Sequence, residues 1–242
     1  MPRVEYRAQT STGGQFMKWF RRDQEDQHAG VVPLAGVSKS RGVPEPAPQI
    51  LTAGGPALQR VGGDGDQVAR MTTGAAPVIL DITHQGGGHF VVDSLDGSLL
   101  SQSQLVYTDG PFACRSLVNA DDRTVRALRV QADGPWMIEA TALSSVLTLD
   151  GSARRPASDV LRYEGGPGIA TLRYEGDPQS DDGGYFLVDT FRPDGDGFLD
   201  ELANHVGPWR GEAPLPGPCL IYARSDGPWS ISVQAMGPST PS

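Results

Sequence analysis

Three short blocks of this chain recur in the same order at nearly the same spacing, and that repeat limits what the chain can fold into. Gly88-His89-Phe90-Val91-Val92-Asp93 matches Gly184-Tyr185-Phe186-Leu187-Val188-Asp189, 96 residues further on. Gly110-Pro111-Phe112 matches Gly207-Pro208-Trp209 at 97, and Asp133-Gly134-Pro135-Trp136-Met137-Ile138 matches Asp226-Gly227-Pro228-Trp229-Ser230-Ile231 at 93. Self-similarity at one period means that one supersecondary unit is used twice. The spacing falls by four between the last two blocks, which places a shorter loop in one copy.

The residues around these blocks set the fold class. Val78-Ile79-Leu80-Asp81-Ile82-Thr83 is rich in β-branched residues and ends at Gly86-Gly87-Gly88, after which His89 to Asp93 reads as a second strand. Val125 to Val130 and Trp136 to Leu143 alternate with period two, and no helix-length periodic segment follows residue 73. Gly and Pro, at 31 and 20 of 242 residues, supply many turns. The expectation is an all-β fold of two tandem five-stranded β-sandwich-like units, pseudo-twofold, at 74–143 and 166–236. A connector fills 144–165, and a largely irregular N-terminal segment occupies 1–72.

Each block has a structural reason. Phe90 and Phe186 share a strand face with Val92 and Val188 and are expected in the core. Asp133 and Asp226 are expected to bond their own turns, whose glycines accept positive φ. Trp136 and Trp229 alternate with Ile138 and Ile231, which makes them core anchors whose indole N–H needs a buried acceptor.

The same residues carry a family resemblance. Phe90-Val91-Val92, Leu105-Val106-Tyr107-Thr108-Asp109-Gly110-Pro111-Phe112 and Ala132-Asp133-Gly134-Pro135-Trp136 resemble a small all-β module of uncharacterised actinobacterial proteins. In that module a Phe-Val-Val strand leads to a Leu-Val-Asn-x-Ile-Gly turn, and an Ala-Asp-Gly-Pro-Trp strand closes the unit. Leu202-Ala203-Asn204-His205-Val206-Gly207-Pro208-Trp209 is closer to the pattern than the first copy, which lacks the Asn. The resemblance covers both units and none of the first 72 residues. It implies a β-sandwich accessory domain with no catalytic residues.

The N-terminal segment reads differently. Residues 15–28 are expected to form a short helix with Phe16, Trp19 and Phe20 on one face, beside Lys18, Arg21 and Arg22. Three aromatics in a polar stretch predict a docking segment for a protein partner or for self-association. Residues 29–72 are linker-like, with Pro44-Glu45-Pro46-Ala47-Pro48 extended. Met17 is an alternative start to Met1. Asp23-Gln24-Glu25-Asp26-Gln27 stands where a secretion signal needs an apolar run, so a cytoplasmic address is expected.

Charge and motifs restrict the chemistry. The net charge of −9 argues against nucleic acid, and no apolar run is long enough for a transmembrane segment. The segment 1–72 holds nine basic and seven acidic residues, so the acidity lies in the β region. Nucleophile elbows, P-loops and dinucleotide fingerprints are absent, and neither catalysis nor a cofactor is expected. Cys114 and Cys219 read as small hydrophobes at non-equivalent positions. His84 and His89 flank the triple glycine, but a zinc site needs more ligands than two. Asp194, Asp196 and Asp200 are weak calcium candidates. With Gly197 as the sixth loop residue, an EF-hand would put Arg192 first and Ala203 last, and both fail as ligands. The expected function is that of a non-catalytic interaction or assembly accessory protein. The alternative is a lectin-like or calcium-dependent binding module.

Overall fold

The structure, a computed structural model, describes residues 50, 53–120 and 123–236, all within one compact unit, Pro44–Ser242. The expected helix at 15–28 and its aromatic face lie outside the described residues. Seventeen strands follow in chain order: β1 Gln59–Asp64, β2 Gln67–Arg70, β3 Val78–His84, β4 His89–Leu95, β5 Ser101–Asp109, β6 Phe112–Val118, β7 Ala127–Ala132 and β8 Pro135–Thr141. After a 3-10 turn at Leu143–Ser145 come β9 Leu147–Thr148, β10 Ser152–Arg155, β11 Asp159–Tyr163, β12 Gly168–Tyr174, β13 Tyr185–Phe191, β14 Phe198–Val206, β15 Trp209–Leu215, β16 Cys219–Ser225 and β17 Trp229–Ala235. The described residues are therefore all-β, and none of their helices is long and apolar enough to cross a membrane.

Four sheets result. Sheet I has the order β1-β8-β3-β6 and sheet II β2-β7-β4-β5; sheet III has β14-β13-β16-β11-β9 and sheet IV β10-β17-β12-β15. Sheets I and IV have the same order when β1, β3, β6 and β8 are read as β10, β12, β15 and β17. Sheets II and III correspond in the same way, with β9 added in parallel to β11. In the first half, Leu80, Ile82, Trp136 and Ile138 of sheet I share one buried cluster with Phe90, Val92, Leu128 and Val130 of sheet II. In the second, Leu172, Trp229 and Ile231 of sheet IV do so with Leu161, Phe186, Val188 and Ile221 of sheet III.

Each half thus carries eight corresponding strands where five were expected, and it starts earlier. β1 and β2 lie in the stretch expected to be linker, and β10 and β11 in the expected connector. Their sequences are short, with little period-two signal, and those of β1, β2 and β10 are largely polar (Gln-Arg-Val-Gly-Gly-Asp in β1). Hydrogen bonds from distant residues hold them. The Trp136 indole N–H donates to Gly65 O at 2.9 Å, and that of Trp229 donates to Ala157 O at 2.8 Å. Beside these turns, Ala132 N donates to Asp66 Oδ1 at 3.0 Å and Ser225 N to Ser158 Oγ at 2.9 Å.

The first and third sequence blocks bond to each other. His89 N donates to Asp133 Oδ2 and Asp133 N to His89 O; Tyr185 N donates to Asp226 Oδ2 and Asp226 N to Tyr185 O. The two aspartates therefore cap a neighbouring strand rather than their own turn. Their glycines are needed for close approach: a Cβ on Gly134 would lie 2.8 Å from Gly86 Cα, and one on Gly227 would run into Gly176 O. Only Gly134 of the pair has a positive φ, at 121°.

The halves meet through unlike sheets. Ile79 and Leu117 on the outer face of sheet I form a buried cluster with Val160, Phe191, Leu220 and Tyr222 of sheet III, together with Ala120 and Val146. A pseudo-twofold axis would join like sheets. The expected pseudo-twofold is therefore replaced by a head-to-tail stack.

Candidate functional site

The residue types that carry chemistry are mostly committed to the fold. Cys114 and Cys219 are free and buried. Burial pushes the Cys114 thiol far above its ordinary range and that of Cys219 up to about 11, so neither is a ready thiolate. His84 is fully buried, stacks on Phe90 with ring centroids 4.5 Å apart, and donates from Nδ1 to Gly110 O at 2.8 Å. His89 faces Tyr107 and Asp109 instead. In the second half Tyr174 and Phe186 stack in the corresponding way at 5.0 Å, so the His84 ring occupies a structural position.

Phe90, Phe186, Trp136 and Trp229 are all buried. Asp194 Oδ1 accepts from Asp196 N at 3.1 Å, and Asp200 Oδ1 from Glu201 N at 2.9 Å, while Gly197 N donates to Ala120 O in the first half. Asp194 thus holds the turn that contains Asp196, on a loop docked against the other half, while Asp200 stands within β14, and no metal-holding group of three or more His, Cys, Asp or Glu occurs among the described residues. Lys18, Arg21 and Arg22 lie with the aromatic segment outside the described residues.

Two arrangements went unseen in the sequence. The first is a buried ionic cluster at the junction. Arg115 Nε donates to Asp81 Oδ1 at 2.7 Å, and its other nitrogens donate to Ser145 O at 3.2 Å and Ser145 Oγ at 2.7 Å. Arg115 N donates to Ser158 O, and Asp159 pairs with Arg155 at 2.5 Å. Burial raises the Asp81 and Asp159 carboxyls above the usual carboxylate range, against the pull of Arg115 on the first and of Arg155 and Arg115 on the second. The cluster ties the two halves together through Ser145 and Ser158.

The second arrangement lies at the sheet edges. β5 pairs only with β4 and ends sheet II; β14 pairs only with β13 and ends sheet III. Ten large apolar side chains are exposed among the described residues, and six stand on or beside these strands: Leu99, Leu100, Tyr107, Phe198, Leu199 and Val206. Leu100 is 66% exposed, Tyr107 65% and Val206 63%. From Ser98 to Thr108 there is no Asp, Glu, Lys or Arg, whereas β14 carries Asp200 and Glu201. Edge strands are ordinarily guarded by charge. Here two register shifts in each edge pair twist the free edge, and they fall at corresponding places in the two halves. The edges therefore offer short lengths of backbone flanked by apolar side chains.

Compared with known proteins, the chain matches no family model and no curated protein.

Proposed function

We propose that the protein is a non-catalytic interaction or assembly component that contacts other protein chains along the edges of sheets II and III. The supporting observation is the concentration of exposed apolar side chains on β5 and β14, with β5 uncharged from Ser101 to Thr108. Apolar patches of this kind on an otherwise charged surface mark contact sites. Within the same proposal, each half is a β-sandwich module of the kind the sequence resembles, and the chain carries it twice. The aromatic segment of Phe16, Trp19 and Phe20 provides a second contact, its basic neighbours Lys18, Arg21 and Arg22 suiting the acidic β region. A cytoplasmic address belongs to the proposal, in keeping with two free cysteines.

A second copy of this chain is the partner that can be tested at once. Sedimentation velocity of the full chain over a wide concentration range is the experiment. Association is expected, weakened by the paired change Leu100→Lys and Tyr107→Lys and separately by removal of residues 1–30. A chain that stays monomeric throughout, or an oligomer indifferent to both changes, overturns the reading.

A further inference from the structure

The outer face of sheet IV carries a charge pattern that the fold itself does not need. Arg154, Ser230, Arg173 and Arg210 stand in one cross-strand row, with Arg154 opposite Ser230, Ser230 opposite Arg173 and Arg173 opposite Arg210. The residues on either side of them along these strands, Ala153, Leu172, Ile231 and Trp209, pack against the core, so the row faces outward.

Like charges directly opposite each other in a sheet are destabilising. Arg154 is relieved by Glu175, whose Oε2 accepts from it at 2.8 Å. The side chains of Arg173 and Arg210 make no hydrogen bond or ion pair with a described residue. Glu212, two residues along β15 on the same face, pairs in register with Thr171.

The first half is an internal control. Its corresponding row on sheet I reads Gly62, Met137, Thr83 and Ala113, with no charge. The same strand order therefore forms without the arginines. Two opposed, unpaired guanidinium groups have also been kept in a chain of net charge −9.

An open recess of about 350 Å³ adjoins the pair, lined by Arg173, Tyr174, Glu175, Pro208, Trp209 and Arg210. Two neighbouring guanidinium groups beside an open recess suit an oxyanion. The carboxylates around Tyr174, namely Asp177, Asp182 and Asp226, oppose an anion. Binding must therefore come from directed guanidinium hydrogen bonds rather than from a general positive potential.

We propose that Arg173 and Arg210 bind a phosphate group at this recess on the outer face of sheet IV. The proposal is independent of edge docking and concerns a different face.

The test is an NMR titration of the full chain with inorganic phosphate and with phenyl phosphate, against sodium chloride at matched ionic strength. Saturable shifts at the Arg173 and Arg210 Nε–H groups are expected with both phosphates and not with chloride. Tighter binding of phenyl phosphate assigns the recess to a phosphate ester, and equal binding assigns it to the free anion. The variant Arg173→Thr/Arg210→Ala installs the residues of the first half, so its fold is expected to survive with Tm unchanged or raised. Its phosphate affinity should fall roughly tenfold or more, one or two charge-assisted bonds being lost. The absence of saturable shifts in the parent chain, or equal affinity in a folded variant, overturns the proposal.

Discussion

Trp229 does two separable things, and its substitutions should separate them. Its ring fills the core beside Phe186, while its N–H satisfies Ala157 O across 72 residues of chain. Trp229→Ala is expected to cost about 3–5 kcal/mol in urea unfolding, as for other large-to-small core changes. Trp229→Phe keeps most of the apolar volume but leaves the carbonyl unpaired, for about 1–3 kcal/mol. Gly86→Ala should cost a further-removed site about 1–3 kcal/mol by overpacking, because a Cβ there would run into Asp133 O and stand 2.5 Å from His84 Nε2. A fully stable Gly86→Ala protein would contradict the backbone-on-backbone contact between the two turns. At this scale the tryptophans were legible because they alternate with Ile138 and Ile231. Their acceptors were not, because Gly65 and Ala157 share no identity and only the fold brings them near.

Between elements, the Arg115–Asp81 pair makes a sharp prediction. Removing Arg115 alone strands a buried carboxylate, so Arg115→Ala is expected to cost about 3–5 kcal/mol, while Arg115→Met with Asp81→Leu should cost far less. The second half shows that the strand pairing does not need the pair, since the corresponding positions hold Glu212 and Thr171. The raised carboxyls also set a pH dependence. The folded protein holds the Asp81 and Asp159 protons more tightly than the unfolded chain, whose ordinary value is near 3.8. Each carboxyl therefore contributes stability below that value, and the contribution is lost as pH rises through its folded value. In denaturation followed from about pH 3 to neutrality, Asp81→Asn should remove its share of that fall; an unchanged difference between variant and parent at all pH values would contradict it. β3, β4 and β8 were legible from alternation and glycine turns. β1, β2 and β10 were not, because short polar edge segments carry no periodic signal and are held by bonds from elsewhere, and β11 was not, because five residues are too few to show a period.

Across the whole molecule, the stack of unlike sheets leaves the outer faces of sheets II and IV at its two ends. The junction residues Ile79, Leu117, Leu220 and Tyr222 have Ile169, Pro214, Ala127 and Arg129 in corresponding places at these ends, so the ends are less suited to a third copy. Because the junction buries a shared cluster, the two halves are expected to unfold in a single transition by calorimetry and by fluorescence alike; two resolved transitions would show the halves to be independent. The three-block repeat made the twofold use of one unit legible. The direction of stacking was not, because it depends on which outer faces are apolar, and Ile79, Leu117 and Leu220 read as ordinary strand residues. The proposed contact with other chains lies at the edges, and hydrogen exchange by mass spectrometry at low and high protein concentration reads them directly. Peptides covering β5 and β14 should gain protection as concentration rises, while those covering the central strands β3 and β12 should not change. Equal exchange at both edges across the full range, in a sample that sedimentation shows to be associated, would place the contact elsewhere and contradict edge docking.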